Sequence, residues 1–264
     1  MIENKKEFKL IQKKNPKSLL PNALTIFGVC LGLSSIKFAL DLNYGMAIIA
    51  IGFAAILDTL DGRVARLIKG TSKVGKELDS LTDVISFGVA PGFIMYFWSL
   101  NEIGKFGWMF VLIYTVCCAL RLARFNLTTI DESESWKINF FEGVPSPAAA
   151  GLVLLPLILS LSGLIKLENY ALLSTVTILI TSILMVSKVP TYSLKRIVIP
   201  RHAAIFLLLG IGIYVSLLIF FTFETLLLSG IVYLLLIPIS FFHYRKNKKK
   251  SSSPPVEEYD EDVL

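Results

Sequence analysis

Long apolar blocks, each about twenty residues in length, alternate with short polar segments between Leu19 and Phe242. An α-helix needs about twenty residues to cross roughly 30 Å of hydrocarbon. The pattern therefore predicts an all-α integral membrane protein. Reading each block to its polar ends predicts eight transmembrane helices, near residues 19–41, 44–68, 79–99, 106–126, 147–164, 170–188, 202–222 and 224–242.

The composition supports membrane residence and excludes several other classes of protein. Of the 264 residues, 54% are hydrophobic and only 17% are charged, and the mean hydropathy is +0.68. These values argue against a soluble domain, a disordered chain and a free nucleic-acid binder. Cys30, Cys117 and Cys118 all lie inside apolar blocks, which indicates small core residues and no disulfide framework. Two histidines in the whole chain argue against a histidine-based zinc site.

The positions of the basic residues predict the orientation of the helices. With both termini on the cytoplasmic side, 23 of the 26 lysines and arginines fall in cytoplasmic segments. Only Lys37, Lys105 and Lys166 then lie outside, as the positive-inside rule requires. Residues 1–18 form a basic cytoplasmic segment in this arrangement. Residues 244–264 pass from lysines through serine and proline to acidic residues, which predicts a disordered cytoplasmic tail.

Four aspartates lie at the facing ends of the second and third predicted helices. Asp58 and Asp61 are three residues apart and Asp79 and Asp83 are four apart, so each pair shares one face of its helix. The short link between the helices contains glycine, threonine and serine, which makes the two helices antiparallel neighbours. The four carboxylates are therefore expected to converge.

These carboxylates lie at an unusual depth. Counted from Tyr44, Asp58 is about 21 Å and Asp61 about 26 Å along a helix that spans roughly 30 Å of hydrocarbon. Acids at such positions are costly and generally have both a partner and a function. Two nearby arginines cannot balance four carboxylates, whereas two divalent cations can, and oxygen ligands suit Mg²⁺ or Mn²⁺. The leading interpretation is a two-metal phosphoryl-transfer site; the alternative is that Asp58 and Asp79 cap helices or pair with lysines.

Small and basic residues lie on the same face of the second helix as Asp58 and Asp61. Gly62 and Ala65 would let a flat group such as a nucleotide base lie close to the backbone, although small residues also serve close helix packing in membranes. Arg66 can bind a phosphate with its forked guanidinium, or it can extend to the membrane interface.

The same stretch resembles the CDP-alcohol phosphotransferases, whose signature is D-x2-D-G-x2-A-R-x8-G-x3-D-x3-D. All eight fixed positions are present, from Asp58 through Gly75 to Asp83. The resemblance implies a catalytic domain of six membrane helices, about residues 19–190, that typically forms a homodimer. Residues 191–243 would then form two additional transmembrane helices outside this core.

The resemblance also implies roles for individual residues. Asp58, Asp61, Asp79 and Asp83 would hold two divalent ions, and Asp83 would also act as the general base. The CDP-diacylglycerol would be bound by residues at the start of the first helix, in the signature and in the link, namely Asn22, Thr25, Gly62, Ala65, Arg66, Ser72 and Gly75.

Other segments resemble the phosphatidylserine synthase branch of the family. They are Pro21 to Thr25, Leu78 to Pro91, Arg121 to Asn126 and Gly143 to Pro147. L-Serine carries a carboxylate, which Arg121 and Arg124 can contact in a bidentate manner, and Asn126 lies beside them in the sequence. The alternative is that the two arginines are ordinary cytoplasmic anchors.

The resulting functional hypothesis is transfer of the phosphatidyl group from CDP-diacylglycerol to L-serine with release of CMP, at the cytoplasmic face of the cell (inner) membrane. The closest alternative is the same chemistry with glycerol 3-phosphate, inositol phosphate or choline. A cation-coupled transporter would place its acids near the midplane and favour broken helices or repeats. A structural membrane anchor would tolerate the loss of Asp79 and Asp83.

Overall fold

The computed structural model describes residues 19–70, 72–127, 140–192 and 201–251, and it is almost entirely helical, as the sequence predicts. Ten α-helices lie in these ranges: α1 (Leu19–Leu40), α2 (Tyr44–Leu67), α3 (Lys73–Asp83), α4 (Ala90–Trp98), α5 (Lys105–Leu127), α6 (Ser146–Val153), α7 (Leu155–Ser162), α8 (Tyr170–Val186), α9 (Arg201–Phe220) and α10 (Thr222–Ser251).

Six helical segments of the described residues are long and apolar enough to cross a membrane. They are Leu19–Leu40, Tyr44–Leu67, Val74–Trp98, Lys105–Leu127, Ala203–Phe220 and Thr222–Arg245. The chain is therefore a multi-pass membrane protein. The predicted third span corresponds to α3 and α4 joined by the π-helical turn Val84–Val89. The count of eight crossings and the cytoplasmic location of both termini remain predictions.

The two other predicted spans are helical but shorter than the sequence pattern suggested. The fifth is divided at Leu154 into α6 and α7, because Pro156 lacks the N–H that would continue the α-helical ladder. α7 ends at Gly163, whose φ of +68° suits a glycine. The sixth is α8, an apolar helix of 17 residues.

A short antiparallel pair of strands is the one sheet in the described residues, and the sequence pattern did not reveal it. β1 (Phe140–Glu142) pairs with β2 (Pro190–Tyr192). The Thr191 hydroxyl donates to the Gly143 carbonyl at 2.8 Å and fixes the turn that follows β1.

The basic N-terminal segment 1–18 and the tail beyond residue 251 lie outside the described residues. The same is true of three residues of the predicted cytoplasmic set, namely Lys137, Lys195 and Arg196.

The chain divides into two compact units, and the division falls in the sequence between Leu122 and Ala123, inside α5. In the first unit α1 packs along α2, and two glycines of α1 face the third span: Gly28 lies against Thr82 and Gly32 against Ser86. A side chain at Gly32 would come within 2.9 Å of the Ser86 Cα. Small residues thus allow close helix contact in this unit, as is common in membrane proteins.

In the second unit α10 packs against α7 and β2, and α6 packs against α8. Gly230 of α10 lies so close to Leu155 that a Cβ at position 230 would overlap its side chain. Ser174, Ile178 and Met185 form a buried stripe on α8. The hydrophobic side chains of α9 are exposed along the helix, as expected of a helix that faces lipid.

Candidate functional site

The signature residues lie on a tight helical hairpin formed by α2 and α3. α2 ends where Lys69 takes a positive φ of 51° and the Gly70 N–H donates to the Ala65 carbonyl at 2.9 Å. This is the closing pattern of a Schellman-type helix end. α3 begins at Ser72, whose hydroxyl accepts a hydrogen bond of 2.9 Å from the Gly75 N–H. The two helix ends thus reverse the chain within a few residues.

The hairpin brings the four aspartates together. Carboxylate oxygens of Asp58, Asp61 and Asp79 all lie within 4.8 Å of one another. The carboxyl group of Asp83 lies within hydrogen-bonding contact of that of Asp58. The expected convergence of two helix faces is therefore present, with all four groups in the first unit.

Thr25 of α1 makes direct contact with this cluster. Its buried hydroxyl donates to Asp61 Oδ2 at 2.6 Å and lies 3.0 Å from the Pro21 carbonyl. Asp61 itself is only 4% exposed. The sequence assigned Thr25 to substrate binding, and the structure gives its hydroxyl the further role of fixing the orientation of the Asp61 carboxylate.

Asp83 and Arg121 contribute buried polar groups to the site. Arg121 of α5 is buried, at 8% exposure, and its charge acts on Asp83. Asp83 Oδ1 is buried and accepts no hydrogen bond from any described residue. Burying a carboxylate oxygen without a donor is costly, so this oxygen is suited to accept a proton or contact a cation.

The cluster has the chemistry of a divalent-metal site. Its donors are all carboxylate oxygens, the ligands that Mg²⁺ and Mn²⁺ prefer. The positive charge of Arg121 acts on Asp83, but one guanidinium cannot balance four carboxylates. Asp58, Asp61 and Asp79 can therefore hold a metal ion.

A cleft of about 570 Å³ opens beside the carboxylates. Its walls come from the start of α1, the end of α2 and the start of α3, and they include Asp61 and Asp79. All seven residues that the sequence assigned to CDP-diacylglycerol line it: Asn22, Thr25, Gly62, Ala65, Arg66, Ser72 and Gly75.

Two glycines shape this cleft in different ways. A Cβ at Gly62 would meet no atom within 4 Å, so the absent side chain leaves open space in the cleft. A Cβ at Gly75 would lie 2.9 Å from Asn22 Oδ1 and 3.0 Å from Ser72 Oγ. Gly75 therefore allows α1 and α3 to approach each other, whereas Gly62 leaves room for a ligand.

The cleft also contains residues that the sequence reasoning did not assign to the site. Lys76, Gly70 and Pro21 line its wall. Lys76 lies three residues before Asp79, so the spacing already put it on the carboxylate face of α3. The charge pattern predicts Lys76 only as a cytoplasmic residue, whereas the three-residue spacing from Asp79 also indicates a place in the site.

Arg124 and Asn126 belong to the second unit. The Arg124 guanidinium donates to backbone carbonyls at the end of α8: Nη1 to Val186 at 2.8 Å, and Nη2 to Ser187 at 3.3 Å and Met185 at 3.5 Å. Asn126 lies partly buried near the end of α5. Arg124 thus stabilises a helix C-terminus, a role that the sequence did not suggest.

Comparisons with known proteins agree with the signature. The profile of the CDP-alcohol phosphatidyltransferase family matches residues 18–189. A CDP-diacylglycerol–serine O-phosphatidyltransferase of Mycobacterium leprae is 40% identical over 190 residues, which cover 71% of this chain and 63% of that protein. The chain thus spans somewhat less than two thirds of that relative's length.

Two further relatives carry the same name. The Helicobacter pylori protein (strain ATCC 700392 / 26695) is 40% identical over 183 residues, or 69% of this chain and 76% of its own length. The Bacillus subtilis protein is 36% identical over 130 residues, or 49% of this chain and 70% of its own length. The family match over residues 18–189 includes both the carboxylate hairpin and the helices from α4 to α8.

Proposed function

The chain belongs to the CDP-alcohol phosphatidyltransferase family, and on this premise we propose that it transfers the phosphatidyl group of CDP-diacylglycerol to the hydroxyl of L-serine, releasing CMP. The resemblance predicted from the eight-position signature is confirmed at the level of the family. The choice of L-serine rests on the names of the relatives and on the segments outside the signature.

One observation carries the proposal: the carboxylate cluster and the cleft share residues. Asp61 and Asp79 contribute to the cluster and also line the cleft. A ligand in the cleft would therefore place its phosphates beside the carboxylates. Such proximity would orient a diphosphate for reaction.

The cleft residues would bind the CDP part of the lipid substrate. The open space at Gly62 and the small side chain of Ala65 would accept the flat cytosine ring. Arg66 and Lys76 would contact the diphosphate from α2 and α3. Asn22, Ser72 and Gly75 would close the cleft at the point where α1 meets α3.

Asp58, Asp61, Asp79 and Asp83 would hold two divalent cations, Mg²⁺ or Mn²⁺, with Thr25 orienting Asp61. When bound, such ions would neutralise the diphosphate and stabilise negative charge on the phosphoryl oxygens and the leaving CMP.

Asp83 would act as the base, and Arg121 would bind the carboxylate of serine. The buried Oδ1 of Asp83 is available to accept the proton of the serine hydroxyl. The serine oxygen then forms a bond to the phosphorus that bears diacylglycerol, while the bond from that phosphorus to the oxygen of CMP breaks. Arg121, whose charge acts on Asp83, would hold serine with its hydroxyl toward the base. Arg124 and Asn126 remain candidates for further contacts with serine.

The proposal extends to the organisation of the chain. Residues 19–190 would form the catalytic domain, supported by a family match that ends at residue 189. Residues 191–243 would form an additional helical pair, although α10 continues beyond them to Ser251, into the segment that the sequence predicted to be a disordered tail. We further propose a homodimer in the cell (inner) membrane, with the cleft on the cytoplasmic side, where the lipid substrate enters sideways from the inner leaflet.

An acceptor screen tests this function. Purified protein is incubated with CDP-diacylglycerol and L-serine, glycerol 3-phosphate, inositol phosphate or choline, with Mg²⁺, Mn²⁺ or chelator. CMP release that requires serine and a divalent ion is expected, and Asp83→Asn should abolish it. Release with another alcohol and none with serine would contradict the choice of acceptor, and metal-independent release would contradict the mechanism.

A further inference from the structure

The third span changes its helical form immediately after Asp83. Regular α-helix ends at Asp83, a π-helical turn occupies Val84–Val89, and α-helix resumes at Ala90. In the turn the Ala90 N–H donates to the Ile85 carbonyl, five residues back. Such turns are rare and frequently lie at functional sites.

Pro91 explains why the ordinary helix is interrupted here. In an α-helix the N–H of residue 91 would donate to the carbonyl of Phe87, but proline has no N–H and its ring crowds that carbonyl. The Phe87 carbonyl instead accepts a hydrogen bond from the Tyr114 hydroxyl of α5, at 2.7 Å. Tyr114 is completely buried.

Small residues bring α5 and α1 against the turn. A Cβ at Gly88 would lie 3.1 Å from Cys118, and one at Gly92 would lie 3.0 Å from Val111, so glycine permits α5 to approach from one side. On the other side the Ser86 hydroxyl lies 3.3 Å from the Gly28 carbonyl of α1. The turn is therefore packed on two sides and is not a frayed segment.

The turn controls the direction of the carboxylate that precedes it. Each residue of an α-helix turns the chain by about 100°, and a π-helical turn accommodates one extra residue. Replacing it with α-helix would rotate α3 by about that angle relative to α4. With Ile94 and Met95 of α4 buried in the packing, the rotation would turn Asp79 and Asp83 away from Asp58 and Asp61.

We propose that Tyr114 is a positioning residue for Asp83: its hydroxyl, by taking the place of the missing Pro91 N–H at the Phe87 carbonyl, holds the π-helical turn that directs the Asp83 carboxylate toward the other three carboxylates. The inference rests on the proposed function. It adds a residue outside the signature that contacts neither substrate nor metal and acts through the backbone.

Two variants separate positioning from simple stabilisation. Tyr114→Phe removes only the hydroxyl. The double variant Tyr114→Phe with Pro91→Ala restores a donor for the Phe87 carbonyl, but from within the helix and in α-helical register. Ser182→Ala is the matched control, because it removes a buried hydroxyl that donates within α8, to the Ile178 carbonyl at 2.6 Å. For each variant kcat, KM for CDP-diacylglycerol, thermal midpoint and Mn²⁺ affinity by electron paramagnetic resonance are measured.

Positioning predicts that Tyr114→Phe lowers kcat about 10- to 100-fold and weakens Mn²⁺ binding about 10-fold, with KM for CDP-diacylglycerol within about twofold. The double variant should regain the thermal midpoint without regaining kcat or Mn²⁺ affinity. If Tyr114→Phe folds poorly, the double variant alone carries the test.

A double variant with wild-type kcat and Mn²⁺ affinity, or a Tyr114→Phe protein with both unchanged, would overturn the positioning role. Failure of the proposed function would look different: the wild-type protein would release no CMP with serine, or Asp83→Asn would be fully active. The Mn²⁺ measurement tests the positioning role in that case too, because it does not depend on turnover.

Discussion

At the scale of single residues, the site is built from groups that a membrane helix would otherwise exclude. An isolated aspartate at the centre of a membrane helix costs about 2.5–3.5 kcal/mol or more. Here Asp58, Asp61 and Asp79 share one small volume, and the Thr25 hydroxyl fixes the Asp61 carboxylate. Clustering like charges raises this free-energy cost further, and cations bound between the carboxylates would offset it.

Gly62 provides a test of the cleft at this scale. Gly62→Ala adds a methyl group where no protein atom lies within 4 Å, so the fold should be unaffected. If the nucleotide lies against this backbone, the methyl group should raise KM for CDP-diacylglycerol about 10- to 200-fold, corresponding to a clash of about 1–3 kcal/mol. Steady-state CMP release and thermal unfolding measure the two effects.

Gly52→Ala is the matched control for this substitution. Gly52 lies on the same helix and also has open space at its Cβ, but it does not line the cleft. Its KM and thermal midpoint should match those of the wild type. Equal KM values for the Gly62 and Gly52 variants would contradict a nucleotide site at Gly62.

At the scale of elements, the end of α8 depends on a side chain from α5. Arg124 donates to three carbonyls of this helix end, and the Val144 N–H donates to a fourth, that of Leu184, at 3.3 Å. Gly143, with φ of +75°, lies against the same carbonyls, where a Cβ would come within 2.7 Å of the Met185 oxygen. A helix end uses such partners, because its last carbonyls have none within the helix.

We expect Arg124→Leu to destabilise the protein by about 1.5–3 kcal/mol, the usual contribution of hydrogen bonds to a charged group. Thermal unfolding in detergent should show a lower midpoint. Arg63→Leu is a suitable control, because Arg63 is exposed on α2 and makes no hydrogen bond among the described residues. An unchanged midpoint together with a raised KM for serine would instead favour direct binding of serine by Arg124.

At the scale of the whole molecule, the charge distribution and the site predict the same orientation. The cleft lies at the ends of α2 and α3, next to Arg66 and Lys76, which belong to the predicted cytoplasmic set. The loop between α7 and α8 contains Lys166, which is exposed and belongs to the predicted outer set. A protein that uses a water-soluble acceptor and releases CMP needs its cleft on the side where these molecules are found.

Cysteine labelling can test this orientation. In inside-out membrane vesicles a membrane-impermeant maleimide should label Lys76→Cys and not Lys166→Cys, and in right-side-out vesicles the pattern should reverse. The unsubstituted chain is the control, because Cys30, Cys117 and Cys118 lie within helices α1 and α5, in the apolar part of the predicted spans. Labelling of both variants from the same side would contradict the predicted orientation.

The periodicity of the sequence determined much of the site. Spacings of three and four residues put Asp58 with Asp61 and Asp79 with Asp83, and a short polar link can only return the chain as a hairpin. The convergence of the carboxylates follows from these local facts, whereas the cleft also needs α1, whose Asn22 and Thr25 line it. The apolar blocks likewise located the helices, because only a long helix satisfies its backbone in a membrane.

Other features were decided by residues distant in the sequence. Pro91 makes an interruption of the third span possible, but a π-helical turn there depends on Tyr114, 27 residues from the carbonyl it satisfies. The role of Arg124 depends on carbonyls 61 to 63 residues away. The sequence therefore determined which side chains share a helix face, since that requires only the geometry of one helix. The tertiary structure alone decided which distant side chain supplies a partner to a carbonyl that its own helix leaves without one. In this protein Tyr114 does so for the turn that directs Asp83, and Arg124 does so at the end of α8.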